Sequence, residues 1–236
     1  MVVMITGASR GIGAALAESM TGSGHRVLLI SRNRARLEQV EERCNRKAGK
    51  TLAISIPFDL ADLSDLEEEF VSLVKGITEK VDALVNNAGQ MIRKPFSRIT
   101  TQEAKGLFDA NFFAPAALIR ICLPLMAESE LKHVVNVTSM AGFQGSGKFS
   151  GLSFYSASKS ALGGLTECLA EELKADGVKV NGLAIGAVQT EMFAETFPDL
   201  HAPLGPSQMA ELMKWFVLEG ARYFNGKVLP VSLSTP

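Results

Sequence analysis

Short runs of apolar, mostly β-branched residues alternate along this chain with longer stretches in which apolar side chains recur every three or four positions. The runs fall at 2–6, 26–31, 51–56, 83–86, 133–138, 179–184 and 227–231 and predict strands. Helices fill the intervals, the order that a parallel sheet covered on both faces requires. Between the second and third runs, 35–42 alternates charge around Leu37 and Val40, the pattern of a helix with one face in solvent. Segment 62–74 reads the same way. By contrast, 108–124 is apolar almost all round and predicts a helix buried on two sides, against the core or in a subunit interface. No linker, repeat or low-complexity tract interrupts the pattern, so 1–236 is expected to be one domain: α/β, a doubly wound parallel sheet of about seven strands flanked by helices.

Composition narrows the function. With 236 residues and 47% hydrophobic content the chain can build a substantial core. Its 24 basic and 25 acidic residues are spread evenly and leave a formal charge of −1, which offers no field for a nucleic acid. Cys44, Cys122 and Cys168 are odd in number and far apart, which fits free thiols in a reducing compartment and no metal knuckle. The first residues lack the charged region and cleavage site of a signal peptide, and no unbroken apolar run reaches membrane-spanning length. These features predict a cytoplasmic protein without nucleic-acid, membrane or metal partners.

The first strand runs into Thr6-Gly7-Ala8-Ser9-Arg10-Gly11-Ile12-Gly13, followed by helix-forming alanines and leucine. Strand, glycine loop and helix together make a pyrophosphate cradle: glycine admits close approach, and the helix N-terminus presents unpaired N–H groups to an anion. The end of the second strand reads Ile30-Ser31-Arg32-Asn33, without the carboxylate that would accept from a ribose 2′-hydroxyl. Ser31 can donate to a 2′-phosphate and Arg32 can pair with one, which favours NADP(H).

Tyr155-Ser-Ala-Ser-Lys159 opens a helical stretch and sets a phenol one turn from an ammonium group. A cation so near favours the phenolate, so the tyrosine pKa is expected to fall. Tyr223 and Lys227 share the spacing, but Asn225-Gly226 between them demands a turn. Ser139 closes the fifth strand, at the carboxyl end where open α/β sheets place ligands. The three histidines form no nucleophile–base motif, and no Gly-x-Ser-x-Gly elbow occurs, which disfavours a hydrolase.

The glycine loop, Asp59-Leu60, Asn86-Asn87-Ala88-Gly89, Asn111, Ser139 and Tyr155-Ser-Ala-Ser-Lys159 occur in the order of the short-chain dehydrogenase/reductase family, and the chain resembles its single-domain, NADP-preferring branch from Met1 to about Val231. The resemblance implies a Rossmann-like fold and an oxidoreductase that interconverts a carbonyl and an alcohol. It implies that Ser139 orients the substrate oxygen, Tyr155 transfers the proton, Lys159 lowers the phenol pKa while holding the nicotinamide ribose, and Asn111 organises a water-linked relay to the lysine. It extends the cofactor site to Gly7, Ser9, Arg10, Gly11, Ile12, Gly13, Ser31, Arg32, Asp59, Leu60, Asn87, Ala88, Gly89, Gly186, Val188 and Thr190, with Tyr155 and Lys159 shared between cofactor and chemistry. Arg10 approaches the 2′-phosphate in related NADP enzymes, and Asp59 contacts adenine. Asn86 is expected to be mainly structural.

Three departures accompany the resemblance. Ser139 and Tyr155 stand further apart than the family usually has, and the extra length falls in the glycine-rich 142–151, expected to be a mobile loop beside the substrate site. Ile185-Gly186 replaces the usual Pro-Gly, and the C-terminus lacks the frequent acidic-glycine ending. Segment 191–206 is expected to be a substrate lid with an apolar wall of Met192, Phe193, Phe197 and Leu200. A small-molecule carbonyl or alcohol is the expected partner, in a homodimer or homotetramer. The alternatives are a carrier-protein-linked 3-ketoacyl reductase, for which 128–132 and 174–176 offer a poor basic surface, and a non-catalytic NADP sensor or scaffold.

Overall fold

The computed structural model describes residues 1–60 and 69–233. All seven predicted strands form: β1 (Val2–Thr6), β2 (Arg26–Ser31), β3 (Ala53–Pro57), β4 (Ala83–Asn86), β5 (His133–Ser139), β6 (Lys179–Ile185) and β7 (Val228–Val231). They make one parallel sheet in the order β3-β2-β1-β4-β5-β6-β7. The chain winds outward from β1 to β3, then returns to place β4 against the other side of β1. That reversal opens a crevice at the carboxyl ends of the strands.

Side-chain alternation divides the core. Val3 and Ile5 face the layer containing α1 (Gly11–Gly22), α2 (Arg34–Ala48) and α8 (Pro206–Glu219), with Leu16, Met20, Leu37 and Phe216. Met4 faces the opposite layer, with Leu118 and Cys122 of α5 (Ala114–Met126) and Ala170 of α6 (Ser153–Glu172). The charge-alternating segment is α2, which buries Leu37, Val40 and Cys44 and ends on Gly49 in the left-handed conformation.

One expectation goes largely untested and two change. The predicted helix at 62–74 falls mostly outside the described residues; its end is the short α3 (Val71–Lys75). The apolar stretch 108–124 is not one regular helix, because α4 (Thr101–Phe108) passes through a π turn at Asp109–Phe113 before α5 begins. There the Ala114 N–H reaches back five residues to the Asp109 carbonyl. The run Thr101–Met126 is also long and apolar enough to cross a membrane by length and composition, although no unbroken apolar run suggested it. In this structure it lays Leu118, Ile119, Cys122 and Leu125 on the sheet.

Buried polar groups tie the central strands to α6. Asn86 Nδ2 donates to Asn136 Oδ1 at 2.9 Å, Asn136 Nδ2 to Thr166 Oγ1 at 2.9 Å, and Thr166 Oγ1 to the Leu162 carbonyl at 2.8 Å. Asn86 thus fastens β4 to β5, matching its expected structural place. α6 begins just beyond the carboxyl end of β5, so this bracing fixes where Tyr155 and Lys159 stand.

Candidate active site

One cavity of about 810 Å³ runs along the carboxyl ends of the strands, from the Ser31 end of β2 to α7 (Glu191–Thr196). At its centre stand Ser139 on the last residue of β5 and Tyr155 and Lys159 on the first turns of α6. Every residue expected in the cofactor site lines this cavity except Gly13. Gly13 instead lies behind the loop, where an added Cβ would come within 2.4 Å of the Gly7 carbonyl oxygen and 2.6 Å of Asn87 Nδ2. Its lack of a side chain lets α1 start hard against the loop; it does not clear space in the groove.

Thr6 and Asn87 hold the loop. Thr6 Oγ1 accepts from the backbone N–H groups of Asn87 at 3.0 Å and Ala88 at 2.9 Å, while Asn87 Nδ2 donates to the Thr6 carbonyl at 2.9 Å. The segment after β4 is thereby sewn to the end of β1. At the far end of the groove, the Ser9 and Ser31 hydroxyls share a hydrogen bond of 2.8 Å. Arg32 lies 3.8 Å from Asp59 in an exposed pair, and Arg10 makes a two-pronged contact with Glu195 of α7, at 2.8 and 3.4 Å. Arg36, on the first turn of α2, also lines this end, although the sequence reading counted it only as a charge on a solvent-facing helix. Hydroxyls and guanidinium groups at the β2 terminus, with no carboxylate on that strand end, form a donor set suited to a phosphate.

Lys159 is buried, and its Nζ donates to the Val137 carbonyl at 2.8 Å. Burial lowers its pKa to about 8. Tyr155 departs from expectation. Its phenol is driven up from its ordinary value by burial, and the Ser139 hydroxyl only partly offsets that rise. Lysine spacing alone omitted the larger effect: removing a phenolate from water costs more than its neighbours return here.

Asn111 does not line the cavity. It sits fully buried in the π turn, where Nδ2 donates to the Gln90 carbonyl at 2.9 Å and to Ser158 Oγ at 3.0 Å, and Oδ1 accepts from Gln90 N–H at 2.8 Å. Ser158 in turn donates to the Tyr155 carbonyl at 2.8 Å. Asn111 is therefore linked to the tyrosine turn through Ser158, a residue within the Tyr-Ser-Ala-Ser-Lys motif that the sequence reading left without a role. A Cβ on Gly89 would fall 3.0 Å from Asn111 Oδ1 and 3.2 Å from Lys159 Nζ, which places both polar groups at the same backbone turn.

Segment 191–206 and the glycine-rich loop also border the cavity. Met192, Phe193, Phe197 and Leu200 all face the cavity, as expected, and the Arg93 guanidinium covers the Phe197 ring at 4.9 Å from its centroid. The base of this segment is pinned by Gln189, whose N–H donates to the Leu204 carbonyl and whose side chain accepts from the Ala202 N–H, each at 2.8 Å. Phe149 carries segment 142–151 to the cavity wall. That segment is tied to itself: Lys148 Nζ donates to the carbonyls of Ala141 at 3.1 Å and Phe143 at 2.6 Å, and Ser146 donates to Phe143 at 2.8 Å.

The chain is similar to known proteins along most of its length. A profile described as short chain dehydrogenase matches residues 1–201. An uncharacterized oxidoreductase of Staphylococcus saprophyticus is 32% identical over 89% of the chain and 88% of its own length. The ketoacyl reductase HetN of a Nostoc species is 36% identical over 82% of the chain and 66% of its length. A short chain dehydrogenase from Escherichia coli, solved in complex with NADPH, superposes with a TM-score of 0.87 at 26% identity over 97% of this chain and 95% of that one. With the motifs in family order and the seven-stranded sheet holding them at one crevice, the chain belongs to the short chain dehydrogenase family of oxidoreductases.

Proposed function

We propose that the chain is an NADP(H)-dependent oxidoreductase that interconverts a carbonyl and an alcohol, with Tyr155 as proton donor and acceptor. The observation that carries this reading is the meeting of Ser139, Tyr155 and Lys159 in one cavity with the glycine loop and the Ser31–Arg32 end of β2. NADP(H), when bound, supplies or removes the hydride. In the reductive direction the carbonyl carbon gains that hydride, the C=O π bond breaks, and the oxygen takes the phenolic proton of Tyr155. Ser139 donates a hydrogen bond to the same oxygen as charge builds. The phenol carries its proton at neutral pH, and that proton passes to the substrate oxygen as the alkoxide, the stronger base, forms. Lys159, held by Val137, supplies the nearby positive charge, and Asn111 with Ser158 fixes the turn on which Tyr155 stands.

The phosphate-suited donors at Ser9, Ser31, Arg10 and Arg32 support NADP(H) over NAD(H), as does the NADPH bound by the Escherichia coli neighbour. The apolar lid wall favours a carbonyl compound with an apolar body. Likeness to a ketoacyl reductase favours a second reading, reduction of a carrier-linked 3-ketoacyl thioester. Against it, the lysines at the expected docking surface are engaged: Lys132 donates to the Asp176 carbonyl at 3.2 Å and Lys174 pairs with Glu171 at 3.5 Å. NADPH and NADH oxidation measured across aldehydes, ketones, diketones and a 3-ketoacyl thioester tests both readings. Preferential NADPH oxidation with an apolar ketone supports the first, and turnover confined to the thioester supports the second.

A further inference from the structure

In sequence, Arg10 belongs to the glycine loop and 191–206 to the expected substrate lid, two separate devices. The structure joins them. Arg10 lies in the glycine loop and Glu195 on α7, 185 positions later, yet Nη1 and Nη2 of the arginine donate to both carboxylate oxygens of the glutamate. Both residues line the cavity, and Arg10 adjoins Ser9, whose hydroxyl shares a hydrogen bond with that of Ser31. The Arg10 side chain is two-thirds covered, with 33% exposed, whereas that of Glu195 remains 62% exposed. Glu195 takes both Nη groups, the end-on edge of the guanidinium, so a phosphate can use that edge only by displacing the carboxylate.

We propose that Glu195 competes with the 2′-phosphate of the cofactor for Arg10, so that this ion pair lowers affinity for NADP(H) selectively and ties the lid helix to the state of the phosphate site. The proposal rests on the reading above, in which Arg10 faces that phosphate. Glu195 acts through Arg10 and is a positioning residue. Arg10 clasps α7 to the glycine loop. To meet a phosphate with its end-on edge, Arg10 must release Glu195, and α7 then stays anchored by Thr190, which caps it, by Gln189 and by the Arg93–Phe197 contact. A cofactor lacking the 2′-phosphate leaves the clasp in place.

Direct binding of NADPH and NADH to the full chain, read by cofactor fluorescence, separates these outcomes without turnover. Glu195→Gln and Glu195→Ala are expected to tighten NADPH about two- to five-fold, the range of an exposed ion pair, and to leave NADH unchanged. In an Arg10→Gln background the same substitutions should have no effect, because the competition has been removed. Equal tightening of both cofactors, or weaker NADPH binding in the Glu195 variants, overturns the proposal. If Arg10→Gln weakens NADPH selectively while the Glu195 variants change nothing, the clasp fails and the phosphate reading stands. If Arg10→Gln leaves the NADPH-to-NADH ratio as it was, the phosphate role of Arg10 itself fails.

Discussion

Lys159 Nζ donates to the Val137 carbonyl at 2.8 Å, so one ammonium group both fastens α6 to β5 and faces the cavity. Burial lowers the pKa of this lysine from 10.5 to about 8. A folded-state value below the unfolded one means that the unfolded chain binds the proton more readily, so stability rises as pH climbs from about 8 towards 10.5. Tyr155, whose folded value is raised, opposes that gain only as pH approaches its unfolded value of 10, so the comparison stops at pH 9.5. Wild-type protein is expected to gain about 1.5 kcal/mol relative to Lys159→Met between pH 8 and 9.5. Urea midpoints of the two proteins at both pH values check this, and parallel curves would mean that Lys159 titrates as an ordinary lysine.

Gly142 presses the turn after β5 against the same lysine. A Cβ there would lie 2.8 Å from the Ser160 nitrogen and 2.9 Å from the Lys159 carbonyl carbon and Cβ. Backbone on both sides leaves nothing to move cheaply, so Gly142→Ala should cost about 1–3 kcal/mol and displace α6. Activity should fall with it. Gly164, on the same helix, has no atom within 4 Å of an added Cβ. Gly164→Ala is expected to be neutral or to stabilise by up to about 1 kcal/mol, and thermal melts of the two variants provide the comparison.

His133 is a buried pH sensor for the fold. Its Nδ1–H donates to the Val217 carbonyl at 3.0 Å, and Nε2 accepts from Asn181 Nδ2 at 3.1 Å. A second proton would therefore point at an amide nitrogen. Burial lowers the imidazole pKa to about 4, against the opposing effect of the Val217 hydrogen bond. Because the folded value is depressed, the contribution is complete above about pH 6.5 and is lost as pH falls from there through 4. The loss should approach about 3 kcal/mol at pH 4. Denaturant titrations at pH 7, 5.5 and 4.5 should show that slope in the wild type and a flatter one in His133→Gln.

The sheet was legible because its signals are local. β1, β2 and β4 have the predicted bounds, and the shifts at β3, β5, β6 and β7 amount to one or two residues at an end. The glycine loop and the Tyr155–Lys159 motif likewise announce themselves within a few positions. What escaped the sequence depends on distant residues or on burial. Glu195 meets Arg10 across nearly the whole chain, and Gly142 reads as a loop residue until α6 is laid against it. The π turn around Asn111 has no composition signature, since an apolar stretch looks alike with four- or five-residue hydrogen bonds. Spacing reveals the lysine beside Tyr155 but not the withdrawal of the phenol from water, which raises its pKa where the spacing predicts a fall.

The most direct test of the account compares wild type with Tyr155→Phe for NADPH oxidation on the best carbonyl substrate, with NADPH binding measured in parallel. The substitution removes the proton donor and keeps the ring, so turnover should fall by about 10²- to 10⁴-fold while NADPH still binds. Turnover by Tyr155→Phe at the wild-type rate would contradict the assignment of Tyr155 as the proton donor.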